Sequence, residues 1–142
     1  MSDHEKTFVD SNIIVYAYDT HDPGKMHTAR NILSQGILNE NLVLSVQVLG
    51  EFFVVSTKRI QNPLSSDEAL EIIEILGTNP IVDIDYSLVI HAVAIQKRYA
   101  LSYWDSLILA AAERSECTIL LTEDLNHSQI YNDIVAINPF LA

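Results

Sequence analysis

Four acids stand where a carboxylate can do chemistry: Asp10, Glu51, Asp105 and Asp124. Asp10 ends the apolar run Thr7–Phe8–Val9, and apolar chain resumes at Ile13, Ile14 and Val15. A charge beside buried apolar residues is costly unless it is paired or bound to metal. Glu51 is the one acid in the apolar segment Val46 to Val55. Asp105 lies in Ser102–Tyr103–Trp104–Asp105, and Asp124 follows the apolar run Thr118 to Leu121 in Thr122–Glu123–Asp124–Leu125. Gathered in one place, these carboxylates would offer only hard oxygen donors, which suit Mg²⁺ or Mn²⁺. His4, His21, His27, His91 and His127 are scattered and none has zinc-ligand spacing.

Each acid also has a plainer explanation. Asp10 could close the strand as an Asx turn. Glu51 could lie on a solvent face with Gln47 and Lys58 at helical spacing. Ser102 and Asp105 match a capping box, although the usual acid at its third helical position is Glu. Asp124 alone is an ordinary loop acid. The set carries more weight than its members. Three of the four fall at the carboxyl end of a strand or the start of the next helix, where a doubly wound sheet places its site. Asp83 and Asp85 alternate with Val82 and Ile84, as on the wet face of an edge strand. Neither a Gly-rich phosphate loop nor a nucleophile elbow is present. A phosphotransfer role for Asp10 is weakened by Asn12, which stands where the phosphatase pattern has a second aspartate.

The elements that must position these acids follow from periodicity. Thr7–Asp10 reads as a first strand and Ile13–Tyr18 as a short helical turn, with Asp22–Pro23–Gly24 as a turn signal. Helical spacing predicts a helix over Lys25–Leu38, and Leu42–Leu44 reads as a strand. Ser45 can cap a helix running to about Arg59. Ser65 or Ser66 can cap the next, with Glu68 and Glu71 near its start and Gly77 and Pro80 ending it. Ile81–Ile84 reads as a strand, Ser87–Tyr99 and Ser102–Glu113 as helices, and Thr118–Leu121 and Val135–Ile137 as the last strands. Alternating strands and helices predict an α/β fold with a parallel sheet covered on both faces.

The bulk composition sets limits. The 142 residues suit one domain spanning 1–142, and 49% hydrophobic with 19% charged residues excludes disorder. Cys117 is the single cysteine, so no intrachain disulfide can form. Met1 to Lys6 lacks the pattern of a signal peptide, and no apolar run reaches the ~18 residues of a membrane span. A cytoplasmic protein without a membrane partner is expected. The formal net charge of −11, from 19 acids against 8 Lys and Arg, opposes nucleic-acid binding. The local answer is the basic pairs Lys58–Arg59 and Lys97–Arg98, together with metal neutralising the acids.

The ordered series Phe8–Val9–Asp10–Ser11–Asn12, Glu51 in an apolar helix, Tyr103–Trp104–Asp105–Ser106 and Leu121–Thr122–Glu123–Asp124–Leu125 resembles the PIN-domain ribonucleases. Its acids are separated by 41, 54 and 19 residues. Within that family it is most similar to VapC-type toxins of toxin–antitoxin pairs, and Ile137–Asn138–Pro139–Phe140 is similar to the family's C-terminal end. The resemblance implies a three-layer α/β/α sandwich with a mainly parallel sheet of about five strands. It implies cleavage of single-stranded or structured RNA dependent on Mg²⁺ or Mn²⁺. Asp10, Glu51, Asp105 and Asp124 would be the catalytic metal ligands. Asn12 would hold Asp10, with Ser11 and Thr122 as further support, and Glu123 or Asn126 could replace Asp124. A cognate antitoxin and a homodimer are implied partners. The acidic charge keeps one alternative open, a PIN-like binding module with little nuclease activity.

Overall fold

The computed structural model describes residues 5–141. The polar start expected over 1–6, and His4 with it, falls largely outside the described residues. Six strands form one sheet in the order β3-β2-β1-β4-β6-β5. They are β1 (Thr7–Val9), β2 (Leu42–Ser45), β3 (Ile81–Val82), β4 (Ile119–Leu121), β5 (Ile130–Tyr131) and β6 (Ile134–Ile137). All neighbours pair in parallel except β5 and β6. The parallel part therefore has the five strands expected, and the sixth is an antiparallel edge.

Six helices connect them: α1 (Ser11–Tyr16), α2 (Pro23–Leu38), α3 (Val46–Lys58), α4 (Ser66–Leu76), α5 (Tyr86–Tyr99) and α6 (Tyr103–Arg114). The chain steps outward from β1 to β2 to β3, then returns to place β4 on the other side of β1. Crossovers between parallel strands are right-handed, so reversing direction puts α5 and α6 on the opposite face from α2, α3 and α4. That is the three-layer α/β/α arrangement. The reversal leaves a crevice beyond the carboxyl ends of β1 and β4, the place where such sheets take ligands. Phe8, Val9, Leu44 and Leu120 are buried in the core on the central strands, and Leu107 to Ala112 bury α6 almost all round.

Several helix starts follow the local chemistry. Ser45 accepts from the Val48 amide at 3.3 Å. Ser65 and Glu68 exchange bonds in a full capping box. Two expectations are corrected. Asp22–Pro23–Gly24 is not a free turn but the beginning of α2. Asp22 caps it by accepting from the Lys25 amide at 3.1 Å, and Pro23, with no amide hydrogen to satisfy, takes the first helical position. Asp85 does not lie on an edge strand, because β3 stops at Val82. Asp85 caps α5 through the Leu88 amide at 2.9 Å and pairs with Arg114 at 2.9 Å, and this guanidinium holds its carboxyl down to about 2.

Strand β5 had no sequence signal. Its hairpin turns through Asn132 and Asp133, with φ of 47° and 70°. Two consecutive left-handed residues match the twist of tight hairpins. The Tyr99 hydroxyl fixes the turn, accepting from the Asn132 amide at 2.8 Å and donating to its Oδ1 at 3.0 Å.

Candidate active site

The four acids arrive from four separate elements. Asp10 is the residue between β1 and α1, where its amide still bonds to Leu121 across the sheet at 3.0 Å. Glu51 lies mid-way along α3, Asp105 in the first turn of α6, and Asp124 in the loop after β4. All four line one pocket of about 620 Å³, together with Arg59 and Trp104. Positions up to 114 residues apart in sequence, Asp10 and Asp124, are thus brought to the crevice at the switch in strand order.

A frame of hydrogen bonds surrounds them. Asp10 is only 5% exposed. Its Oδ1 accepts from the adjacent Ser11 amide at 2.7 Å, one residue short of the Asx-turn pairing. Its Oδ2 accepts from the Thr122 hydroxyl at 2.8 Å. The same Thr122 oxygen accepts from the Asp124 amide at 3.0 Å, which joins the ends of β1 and β4 through one hydroxyl. Ser11 donates to Glu51 Oε1 at 3.0 Å. Asn12 donates to Asp124 Oδ2 at 3.2 Å. That corrects the expectation that Asn12 holds Asp10: Thr122 does so, and Asn12 secures the last acid instead. Asp105 makes only half of a capping box, its amide bonding to Ser102 at 3.1 Å. Its carboxylate therefore remains available to the pocket.

The alternatives to Asp124 are committed elsewhere. Glu123 accepts from the Tyr16 hydroxyl at 2.8 Å and pairs with Lys25 at 2.8 Å, and its bond to Lys25 raises that ammonium above its usual range. Asn126 donates to Gln129. The plainer explanation of Glu51 put it on a solvent face with Gln47, yet Gln47 is half-buried and donates to Glu51 Oε2 and to the Trp104 carbonyl, both at 3.3 Å. The i, i+4 spacing of Gln47 and Glu51 was the available signal.

The electrostatics are those of a site short of positive charge. Burial pushes the Asp10 carboxyl up to about 6, and the charges of Asp124 and Glu51 add to the rise against the Thr122 and Ser11 hydrogen bonds. Asp124 is also raised, first by desolvation and then by the charge of Asp105. Among the described residues no three His, Cys, Asp or Glu side chains form a group that could hold a metal ion. The acids share a pocket, and each engaged carboxylate is held by its own donor rather than converging on a common point.

The family model of the PIN domain matches residues 7–133. The chain belongs to the PIN domain family. The solved structures it resembles agree in fold. A toxin–antitoxin complex from Klebsiella pneumoniae matches with TM-score 0.70 at 18% identity, over 95% of this chain and 98% of that one. VapC20 of Mycobacterium tuberculosis, described as a toxin cleaving the sarcin-ricin loop, matches with TM-score 0.68 at 17% identity, over 84% and 92%. VapBC2 of Rickettsia felis, bound to a DNA fragment from its promoter, matches with TM-score 0.66 at 18% identity, over 92% and 96%. No curated protein matches the chain in sequence. No helix among the described residues is long and apolar enough to cross a membrane.

Proposed function

We propose that this PIN domain is a divalent-metal-dependent endoribonuclease and the toxin of a toxin–antitoxin pair. The observation that carries the reading is the set Asp10, Glu51, Asp105 and Asp124 around one crevice at the switch point of the sheet. The likeness in fold to VapC20, a toxin described as cleaving the sarcin-ricin loop, supports RNA as the substrate. The likeness to two toxin–antitoxin complexes supports an antitoxin partner. A basic antitoxin residue would suit the acidic crevice. A homodimer and a cytoplasmic location belong to the same proposal.

The donor set fits Mg²⁺ or Mn²⁺ in kind. It consists of carboxylates alone, and the raised Asp10 and Asp124 carboxyls are groups that a cation would favour in ionised form. Asp10, Glu51, Asp105 and Asp124 would hold it. Once bound, the metal supplies a Lewis acid for the phosphate oxygens and a lowered pKa for a coordinated water. Thr122 and Ser11 keep the Asp10 carboxylate oriented. Ser11 and Gln47 fix the two oxygens of Glu51, and Asn12 fixes one of Asp124. Held in this way each ligand keeps its own orientation, and the four carboxylates would still have to draw together to meet a common ion. Arg59 on the pocket wall can neutralise charge on the scissile phosphodiester.

The test is cleavage of transfer and ribosomal RNA by the purified protein with Mn²⁺, against EDTA and against Asp10→Asn. The reading expects cleavage only by the wild type with metal, and full cleavage in EDTA or by Asp10→Asn would refute it. A second reading, a PIN-like binding module, is favoured by the absence of a ready ligand group among the described residues and by the net charge of −11. Calorimetry separates the two, because the module need bind neither Mn²⁺ nor Mg²⁺.

A further inference from the structure

Trp104 is the only tryptophan of the chain, and it is 61% exposed on the wall of the pocket that holds the four acids. A ring exposed to this degree gains only part of what burial could give it. The ring is nonetheless held. Tyr103 meets it edge-on at 5.0 Å and 77°, and Gln47 bonds its main-chain carbonyl. Arg59 lines the same pocket. The chain has four arginines. Arg30, Arg98 and Arg114 are each tied to an oxygen of the protein. The Arg59 guanidinium has no hydrogen bond or ion pair among the described residues, although it borders an acid-rich pocket. Gly50 of α3 lines the same pocket, and an added Cβ there would meet nothing within 4 Å.

We propose that Trp104 and Arg59 form a nucleotide-seating wall beside the four acids, the indole stacking on an unpaired RNA base and the guanidinium holding its phosphate. This deepens the nuclease reading and rests on it. The net charge of −11 removes most of the general attraction for a polyanion that usually supplies nucleic-acid affinity. Stacking is indifferent to that charge, and every base has a face to stack. Arg59 supplies a local cation where the global one is missing. The base must be unpaired, since a base inside an A-form duplex already has both faces covered. The open space over Gly50 leaves room for the chain of the RNA to approach α3.

The test uses a fluorescein-labelled oligo(A) decamer, single or annealed to oligo(U), in Mg²⁺ buffer, with RNA integrity checked on gels. Affinity is read by anisotropy, and stacking by quenching of the single tryptophan. The single strand should quench the emission and the duplex should bind at least about tenfold more weakly. Trp104→Ala should weaken single-strand binding by on the order of tenfold while Trp104→Phe retains most of it. Arg59→Ala should lower the slope of log affinity against log salt by about 0.7, and Arg59→Lys should keep it. No quenching, or an unchanged affinity in Trp104→Ala, overturns the wall. So does a Trp104→Ala protein that sediments as a smaller species with unchanged RNA affinity, which would make the wall a contact between copies. Cleavage is scored separately. Quenching and the tenfold loss in a protein that cuts no RNA overturn the nuclease reading and support the wall. Cleavage by a wild type that shows no quenching overturns the wall alone.

Discussion

Replacing Asp10 by Asn retains the side-chain shape and removes one of four clustered charges. In the metal-free protein the buried Asp10 carboxyl stands at about 6 against an ordinary 3.8. The folded state therefore binds the proton more tightly than the unfolded state does. Stability contributed by the protonated form is present at low pH and is lost as pH rises from about 4 to about 6, the reverse of a salt-bridged aspartate. Above that window the ionised form costs about 3 kcal/mol, and at pH 5 about half as much. The amide is not free of cost. The Thr122 hydroxyl donates to Asp10 Oδ2 while accepting from the Asp124 amide, and an Asn nitrogen would leave its hydrogen without that acceptor. This loss is about 1 kcal/mol. Asp10→Asn should thus be more stable than wild type by about 2 kcal/mol at pH 8, and by clearly less at pH 5. Urea unfolding in EDTA at the two pH values measures both. A variant less stable than wild type at pH 8, or an advantage that does not shrink at pH 5, would refute the argument from the buried charge.

Three further outcomes follow from the same geometry. Thr122→Val removes a bond that lowers the Asp10 carboxyl, so it should destabilise the metal-free protein more at pH 8 than at pH 5, again by urea unfolding in EDTA. Gly50→Ala should stabilise α3 by about 0.5–1 kcal/mol, because a helix-interior glycine carries an entropic cost and the new Cβ meets nothing. It should lower RNA affinity at the same time if RNA uses that open space; a melting temperature below wild type would mean that α3 tolerates no side chain there. Millimolar Mn²⁺ should raise the wild-type melting temperature by several degrees, since metal at about a hundred times its dissociation constant adds about 2.7 kcal/mol. Asp10→Asn should respond less, and equal shifts would make Asp10 a turn residue only.

Most of the scaffold was legible because its signals are local. Ser45, Ser65 and Ser102 announced three helix starts through capping chemistry, and the apolar runs at Phe8, Leu42 and Leu120 announced the central strands. Local signals also misled. Asp22–Pro23–Gly24 satisfies the rules for a turn and for a helix start equally, and only the chain after Lys25 decides. The alternation Val82–Asp83–Ile84–Asp85 reads as strand until Arg114, from another element, claims Asp85. Strand β5 is two residues long, and its hairpin depends on the Tyr99 hydroxyl, which is 33 residues away. In the pocket, the acids could be located because they interrupt apolar segments. Their partners could not. Asn12 and Asp124 are 112 residues apart, as are Asp10 and Thr122, and nothing in the sequence chooses between the two pairings.

Anomalous diffraction from a crystal soaked in Mn²⁺ tests the central claim most directly. Carboxylate ligands should bring the ion within roughly 2.0–2.2 Å of oxygens of Asp10 and of at least one of Glu51, Asp105 and Asp124. The account predicts a Mn²⁺ peak in the crevice between Asp10 and Asp105, with the carboxylates drawn together around it. A soaked crystal with ordered density for all four acids and no anomalous peak in that crevice would contradict it.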